Sequence, residues 1–252
     1  MEKIILMIPV GFVVGAVMLS LGGGGGAIYL GILAGLMGLP PATAAATSIV
    51  TALPALVMGA YSYYRRKMIN FRIGNRMMIA AIPSVIVGYL ISPFLPEKIY
   101  KVVMGLILAY LGAQIIYGLY HQPDKKKKAL ISPQLASVLY GIMGGLMVGL
   151  AGLSGGGAIT TGLLLLGVSV ANTSATSSYV LVGMSIMGAI LHLAGGHIDW
   201  GAAIGLIIGS LVGARFAPSL IVWMTSNPKR TYYVKLFMGL FVIIMGLRTA
   251  IA

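Results

Sequence analysis

The chain has 252 residues, 59% of them hydrophobic and only 8% charged, with a mean hydropathy of +1.00. Soluble domains carry about 25% charged residues, so this chain cannot cover itself with polar surface, and the composition points to a polytopic membrane protein. The net charge of +13 does not indicate nucleic-acid binding, because the lysines and arginines cluster in short loops between apolar runs, the positive-inside pattern of membrane topology.

Cysteine is absent, which excludes disulfides, thiolate metal sites and a cysteine nucleophile. The first apolar run, Ile4–Leu21, lacks a small-residue cleavage site followed by polar mature sequence, which argues against a cleaved signal peptide. Gly22–Gly26 interrupts it. Each glycine in a helix interior costs about 1 kcal/mol relative to alanine, so the run predicts a break. Ala27–Leu39 is a short apolar piece closed by Pro40 and Pro41, and Thr43–Tyr64 is long, with Pro54 predicting a kink. Arg65, Arg66, Lys67, Arg72 and Arg76 are expected to form a basic loop. Met77–Leu95 and Val102–Tyr120 follow as spans, and a basic linker over 122–133 holds Lys125–Lys128.

The second half repeats the pattern at an offset of roughly 130 positions. Leu135–Leu153 ends in a second break at Gly155–Gly157, followed by Ala158–Val168, Asn172–Leu193, Trp200–Trp223 and Tyr233–Ala250. By eye, Gly24-Gly25-Gly26-Ala27-Ile28 aligns with Gly155-Gly156-Gly157-Ala158-Ile159, and the run from Thr43 to Ser48 with that from Thr173 to Ser178. Ile69-Asn70-Phe71 aligns with Ile198-Asp199-Trp200.

Charge sets the expected topology. With Arg65–Arg76 and the lysine linker in the cytoplasm, Gly195–Asp199, which has no lysine or arginine, lies outside, and both termini fall outside. The expected fold is all-α, with two inverted repeats (1–121 and 134–252) of five helical elements each, about eight to ten membrane segments in all. Ala27–Leu39 and Ala158–Val168 are shorter than the ~20 residues of a full span, so both glycine-broken hairpins are expected to be re-entrant or partly inserted.

Broken segments at corresponding positions of two halves are the best sequence pointer to a transporter's binding site. Helices are expected to start at Ala27, Ala158, near Thr43 and near Thr173. Their free N–H groups and partial positive charge would converge near the midplane as an anion site. The candidate substrate-binding residues are Gly23, Gly24, Gly25, Gly26, Thr43, Thr47, Ser48, Ser154, Gly155, Gly156, Gly157, Asn172, Thr173, Thr176 and Ser177, with Ser174 and Ser178 as further donors. Such donors suit a tetrahedral oxyanion such as a sulfonate. The same residue types also serve close helix packing, and Thr43, Asn172 and Thr173 fit a capping role equally well. His192 is the candidate for coupling or gating, whereas Arg215 lies near a span end, where it would snorkel. No catalytic pair, metal-ligand spacing or Walker A sequence occurs, so the sequence predicts no enzyme, no cofactor and no metal.

The paired motifs Gly22–Ile28 and Ser154–Ile159, the Thr/Ser-rich helix starts and the Ile198-Asp199-Trp200 turn resemble the TauE/SafE sulfite exporter family, also called the 4-toluene sulfonate uptake permease family. The resemblance implies a secondary transporter of the bacterial or archaeal inner membrane. It would carry a small sulfur-containing anion such as sulfite, sulfoacetate or another organosulfonate by alternating access. An anion channel framed by the crossed hairpins is the alternative. The expected partners are the substrate and the lipid bilayer, in a monomer or homodimer, without nucleic acid.

Overall fold

The computed structural model describes residues 2–20, 25–94, 96–120, 132–194, 198–225 and 227–251. Among these residues the secondary structure is entirely helical. Before the linker come α1 (Glu2–Ser20), α2 (Gly26–Leu30, continuing as π-helical Gly31–Leu36), α3 (Pro41–Arg65), α4 (Phe71–Ile91) and α5 (Glu97–Tyr120). After it come α6 (Pro133–Ala151), α7 (Gly156–Leu165), α8 (Val170–Ala194), α9 (Trp200–Thr225) and α10 (Pro228–Ile251). The linker lysines, Gly23 and Gly24 lie outside the described residues.

Local chemistry fixes the helix ends. The Asn70 side chain accepts a hydrogen bond from the Ile73 N–H (3.2 Å) and the Asp199 side chain one from the Ala202 N–H (3.0 Å), so both are N-caps. Because Asn70 starts α4, Arg72 and Arg76 lie inside that helix. The expected basic loop therefore narrows to Arg66 and Lys67 between α3 and the cap segment. The starts of α3 and α8 also differ from expectation. Pro40 precedes α3, with Pro41 pre-set for a first helical turn. At α8 the Asn172 N–H donates to Ser169 Oγ (3.4 Å), so Thr43, Asn172 and Thr173 are not the caps. α3 runs unbroken through Pro54.

Among the described residues, 42–65, 71–94, 133–150 and 172–194 are each long and apolar enough to cross a membrane. The chain is a polytopic membrane protein. α7, and α2 with its π-helical extension, are each roughly 15 Å long at 1.5 Å per residue, about half the hydrocarbon thickness.

The helices pair across the linker. α1 lies along α9 and α6 along α4; α5 pairs with α10, and α3 packs on α8. α3 also packs on α9, and α8 on α4. Small residues permit this closeness. A side-chain carbon on Gly15 would sit 2.6 Å from the Ser210 carbonyl oxygen, and one on Gly11 would overlap the Leu206 backbone. The second pair repeats the device, with Gly141 against the Met77 backbone and Gly145 against that of Ala81. Gly112 and Gly239 face each other where α5 meets α10. Apolar surface gives no net drive between helices in lipid, so close van der Waals contact of this kind carries the association.

Gly15→Val and Gly145→Val should therefore each destabilise the fold by about 1–3 kcal/mol through overpacking. The drop is measurable as a lower melting temperature of the detergent-purified protein. Unchanged melting in both variants would show that the seams tolerate added volume.

Candidate functional site

Two glycines with left-handed backbone mark the breaks. Gly25 (φ 78) immediately precedes α2 and Gly155 (φ 66) immediately precedes α7. That conformation is costly for residues with a Cβ. Both then begin a helix: the Ile28 and Tyr29 N–H groups donate to the Gly25 carbonyl (3.0 Å each), and the Ile159 N–H to that of Gly155 (3.2 Å). Gly25 thus corresponds to Gly155, one residue away from the alignment by eye, and the helices begin at Gly26 and Gly156 rather than at Ala27 and Ala158.

The two breaks touch. A Cβ on Gly26 would lie 2.5 Å from the Ser154 backbone nitrogen. α6 ends with Gly152 in the left-handed region (φ 65), its N–H bonded to the Val148 carbonyl (3.0 Å). Gly152 packs directly on the Ala45 backbone. Ser48 Oγ lies 2.5 Å from the Gly152 carbonyl oxygen and 3.0 Å from that of Ala45, so α3 supplies a donor to the second break. At the first break, Tyr63 Oη donates to the Leu19 carbonyl near the end of α1 (3.3 Å). Carbonyls at broken helix ends have no intrahelical partner, and these hydroxyls satisfy two of them. Gly155 is backed by the Gly144 carbonyl, 2.6 Å from where its Cβ would be, and Gly156 is buried beside it. Gly157 is half-buried.

The other hydroxyls are mostly committed to the protein. Thr47 Oγ1 accepts from the Asp199 N–H (3.0 Å), and Thr176 Oγ1 from the Asn70 N–H (2.9 Å). Each cap segment is thus held by the third helix of the other half. This pairs Thr47 with Thr176, again one residue away from the alignment by eye. It also makes α3 and α8 antiparallel, because the start of each lies beside the segment that follows the end of the other. The Thr/Ser-rich starts are therefore at opposite ends of the α3–α8 pair. Four helix starts do not meet at one place; the two glycine breaks do. The antiparallel crossing is a tertiary fact with no local signature, which is why the sequence missed it.

Thr160 Oγ1 donates to Ser177 Oγ (3.2 Å), Thr173 Oγ1 to the Val168 carbonyl (3.2 Å) and Ser178 Oγ to that of Ser174 (2.8 Å). Ser154 and Ser174 are buried, Thr43 is half-buried and Asn172 is exposed. His192 is buried near the end of α8, its ring edge-on to Tyr89 at 5.0 Å. Among the described residues no three His, Asp or Glu side chains come together. Sequence reasoning passed over Tyr29 and Thr51, both fully buried polar residues. The available signal was spacing: Thr51 follows Thr47 by one helical turn, and Tyr29 follows the first glycine motif.

The family model of the sulfite exporter TauE/SafE matches residues 7–249. The chain belongs to that family. The probable membrane transporter protein YjnA of Bacillus subtilis (strain 168) is 26% identical, covering 98% of both chains. YdhB of the same organism, also a probable membrane transporter protein, is 25% identical over 83% of this chain and 86% of its own. A probable membrane transporter protein of Haemophilus influenzae is 23% identical over 88% and 86%. This places the chain among the membrane transporters of the TauE/SafE family.

Ser48→Ala should lower stability by about 1–3 kcal/mol, because it removes the donor that reaches the buried Gly152 carbonyl. Thermal unfolding in detergent measures this, and an unchanged melting temperature would mean that the second break does not depend on α3.

Proposed function

We propose that the protein is a secondary transporter that carries a small sulfur-containing oxyanion by alternating access, with the two glycine breaks as its binding centre. Sulfite, sulfoacetate and other organosulfonates are the candidate substrates. The observation that carries this reading is the contact of Gly26 with Ser154. It joins two interrupted membrane segments, one from each half, and interrupted segments of this kind build transporter sites near the bilayer midplane. Gly25, Gly26, Ser154, Gly155 and Gly156 would present backbone N–H groups to the anion. The family's description as a sulfite exporter supports the sulfur oxyanion.

Inverted repeats, 1–121 and 134–252, fit the cross-pairing of α1 with α9 and of α6 with α4. With Arg65, Arg66, Arg72 and Arg76 cytoplasmic, Lys229 and Arg230 also fall inside and both termini outside. The halves then run in opposite directions, and the hairpins α1–α2 and α6–α7 enter from opposite faces. Alternating access would consist of the two halves rocking about the contact of the breaks. His192, near the end of α8, is the group for coupling or gating.

Proteoliposomes containing the purified protein should take up sulfite or sulfoacetate saturably and in response to an ion gradient. Non-saturable flux would identify a channel instead. Gly26→Leu should abolish uptake while the protein still inserts into the membrane, because the side chain would fill the contact with Ser154. Normal uptake by this variant would remove the glycine breaks from the site.

A further inference from the structure

Eight of the helices form two matching groups that meet where α3 packs on α8: α1, α2, α3 and α9, and their counterparts α6, α7, α8 and α4. The register established by Gly25 with Gly155, Thr47 with Thr176 and Asn70 with Asp199 pairs individual positions in the two groups. Tyr29 pairs with Ile159, Thr51 with Val180 and Ser210 with Ala81. The last pair has independent support, since Gly15 packs on Ser210 as Gly145 packs on Ala81. All six residues are buried. One group therefore holds three hydroxyls where the other holds only aliphatic side chains.

Two of the three hydroxyls have no partner in hydrogen-bond geometry. Tyr29 is 1% exposed and Thr51 0% exposed, and neither Tyr29 Oη nor Thr51 Oγ1 is hydrogen-bonded. Ser210, whose hydroxyl interacts with that of Tyr29 without reaching hydrogen-bond geometry, donates its own proton to the Ile207 carbonyl (3.0 Å). A hydroxyl inside a helix normally satisfies itself on the carbonyl three or four residues back, as Ser20 does on Ala16 and Ser178 on Ser174. Thr51 does not. A buried hydroxyl without a partner is unfavourable by about 1–3 kcal/mol, and an aliphatic residue at the same position would avoid that loss, as Val180 and Ile159 do. Their packing also places the two residues near the proposed centre. The Tyr29 ring lies 3.1 Å from where a Cβ on Gly25 would be, and Thr51 lies one turn along α3 from Ser48, which reaches Gly152. A ligand that only accepts hydrogen bonds would satisfy both groups.

We propose that Tyr29 and Thr51 donate hydrogen bonds to the transported oxyanion, forming a subsite in the α1–α2–α3–α9 group that the mirrored group lacks. This rests on the oxyanion reading above and adds two specificity residues to it. The anion is then held asymmetrically, by hydroxyls of one group and by the shared contact of the breaks.

The test compares Tyr29→Phe and Thr51→Val, which keep side-chain shape without the hydroxyl, with the unchanged protein. Sulfite and sulfoacetate serve as probes in thermal-shift and proteoliposome-uptake measurements. Without anion, the melting temperatures of the variants should stay level or rise, because an unpaired buried hydroxyl is gone. Apparent affinity for the anion that stabilises the unchanged protein should fall about ten- to a hundredfold, the change expected for a lost hydrogen bond to a charged group. Thr51→Ser should restore affinity. Unaltered affinity in both variants overturns the subsite and leaves the transport reading standing. A lower anion-free melting temperature with unaltered affinity assigns the hydroxyls to the fold and likewise overturns it. No response of the unchanged protein to either anion overturns both.

Discussion

A backbone group in a membrane interior has no water to bond, and the architecture of this protein follows from how it meets that constraint at two broken helices. The carbonyls near the ends of α1 and α6 lose their intrahelical donors where the glycines begin. Tyr63 and Ser48, both on α3, reach Leu19 and Gly152. Gly152 also folds its own N–H back on Val148. α3 therefore holds both breaks, and its 25 residues need to be continuous to do so. The helix passes through Pro54 without ending.

The same constraint explains the use of glycine elsewhere. Helices joined by hydrogen-bonding side chains alone would need many buried polar groups, each of which has to find a partner. Gly11, Gly15, Gly141 and Gly145 instead bring backbones together until dispersion contact suffices. This lets α1 and α6 lie along helices of the opposite half. The Thr47–Asp199 and Thr176–Asn70 bonds then pin the cap segments across the same division. The contact between the breaks is thereby enclosed by elements from both halves.

Much of the architecture is legible in the sequence. The paired glycine runs mark where the segments break, because the helix penalty of glycine is local. The cap at Asn70 is not legible there, because the arginines around it suggest a loop, whereas its side chain starts α4. Register failed as well. A run of five glycines aligns with a run of three equally well in neighbouring frames, and only the left-handed backbone at Gly25 and Gly155 selects one. The runs around Thr47 and Thr176 are self-similar in the same way, and the bonds to the opposite caps decide between frames. The partner of Ser48 was illegible for a related reason. Composition shows that Ser48 can donate, but its acceptor, the Gly152 carbonyl, is one that only the folded chain brings within reach, whereas Thr173 and Ser178 bond carbonyls five and four residues back along the chain.

The sequence by itself determined that the chain lives in a bilayer, that it is helical, and that it breaks twice at matching places. Hydropathy, loop charge and glycine's conformational freedom act residue by residue and need no partner. The tertiary structure alone decided which groups meet: Gly26 with Ser154, α3 antiparallel to α8, and the Thr/Ser-rich helix starts held apart. Those outcomes depend on side-chain volume at helix crossings and on which distant donor reaches which carbonyl. Both are properties of pairs, and the order of residues along one chain does not encode them locally.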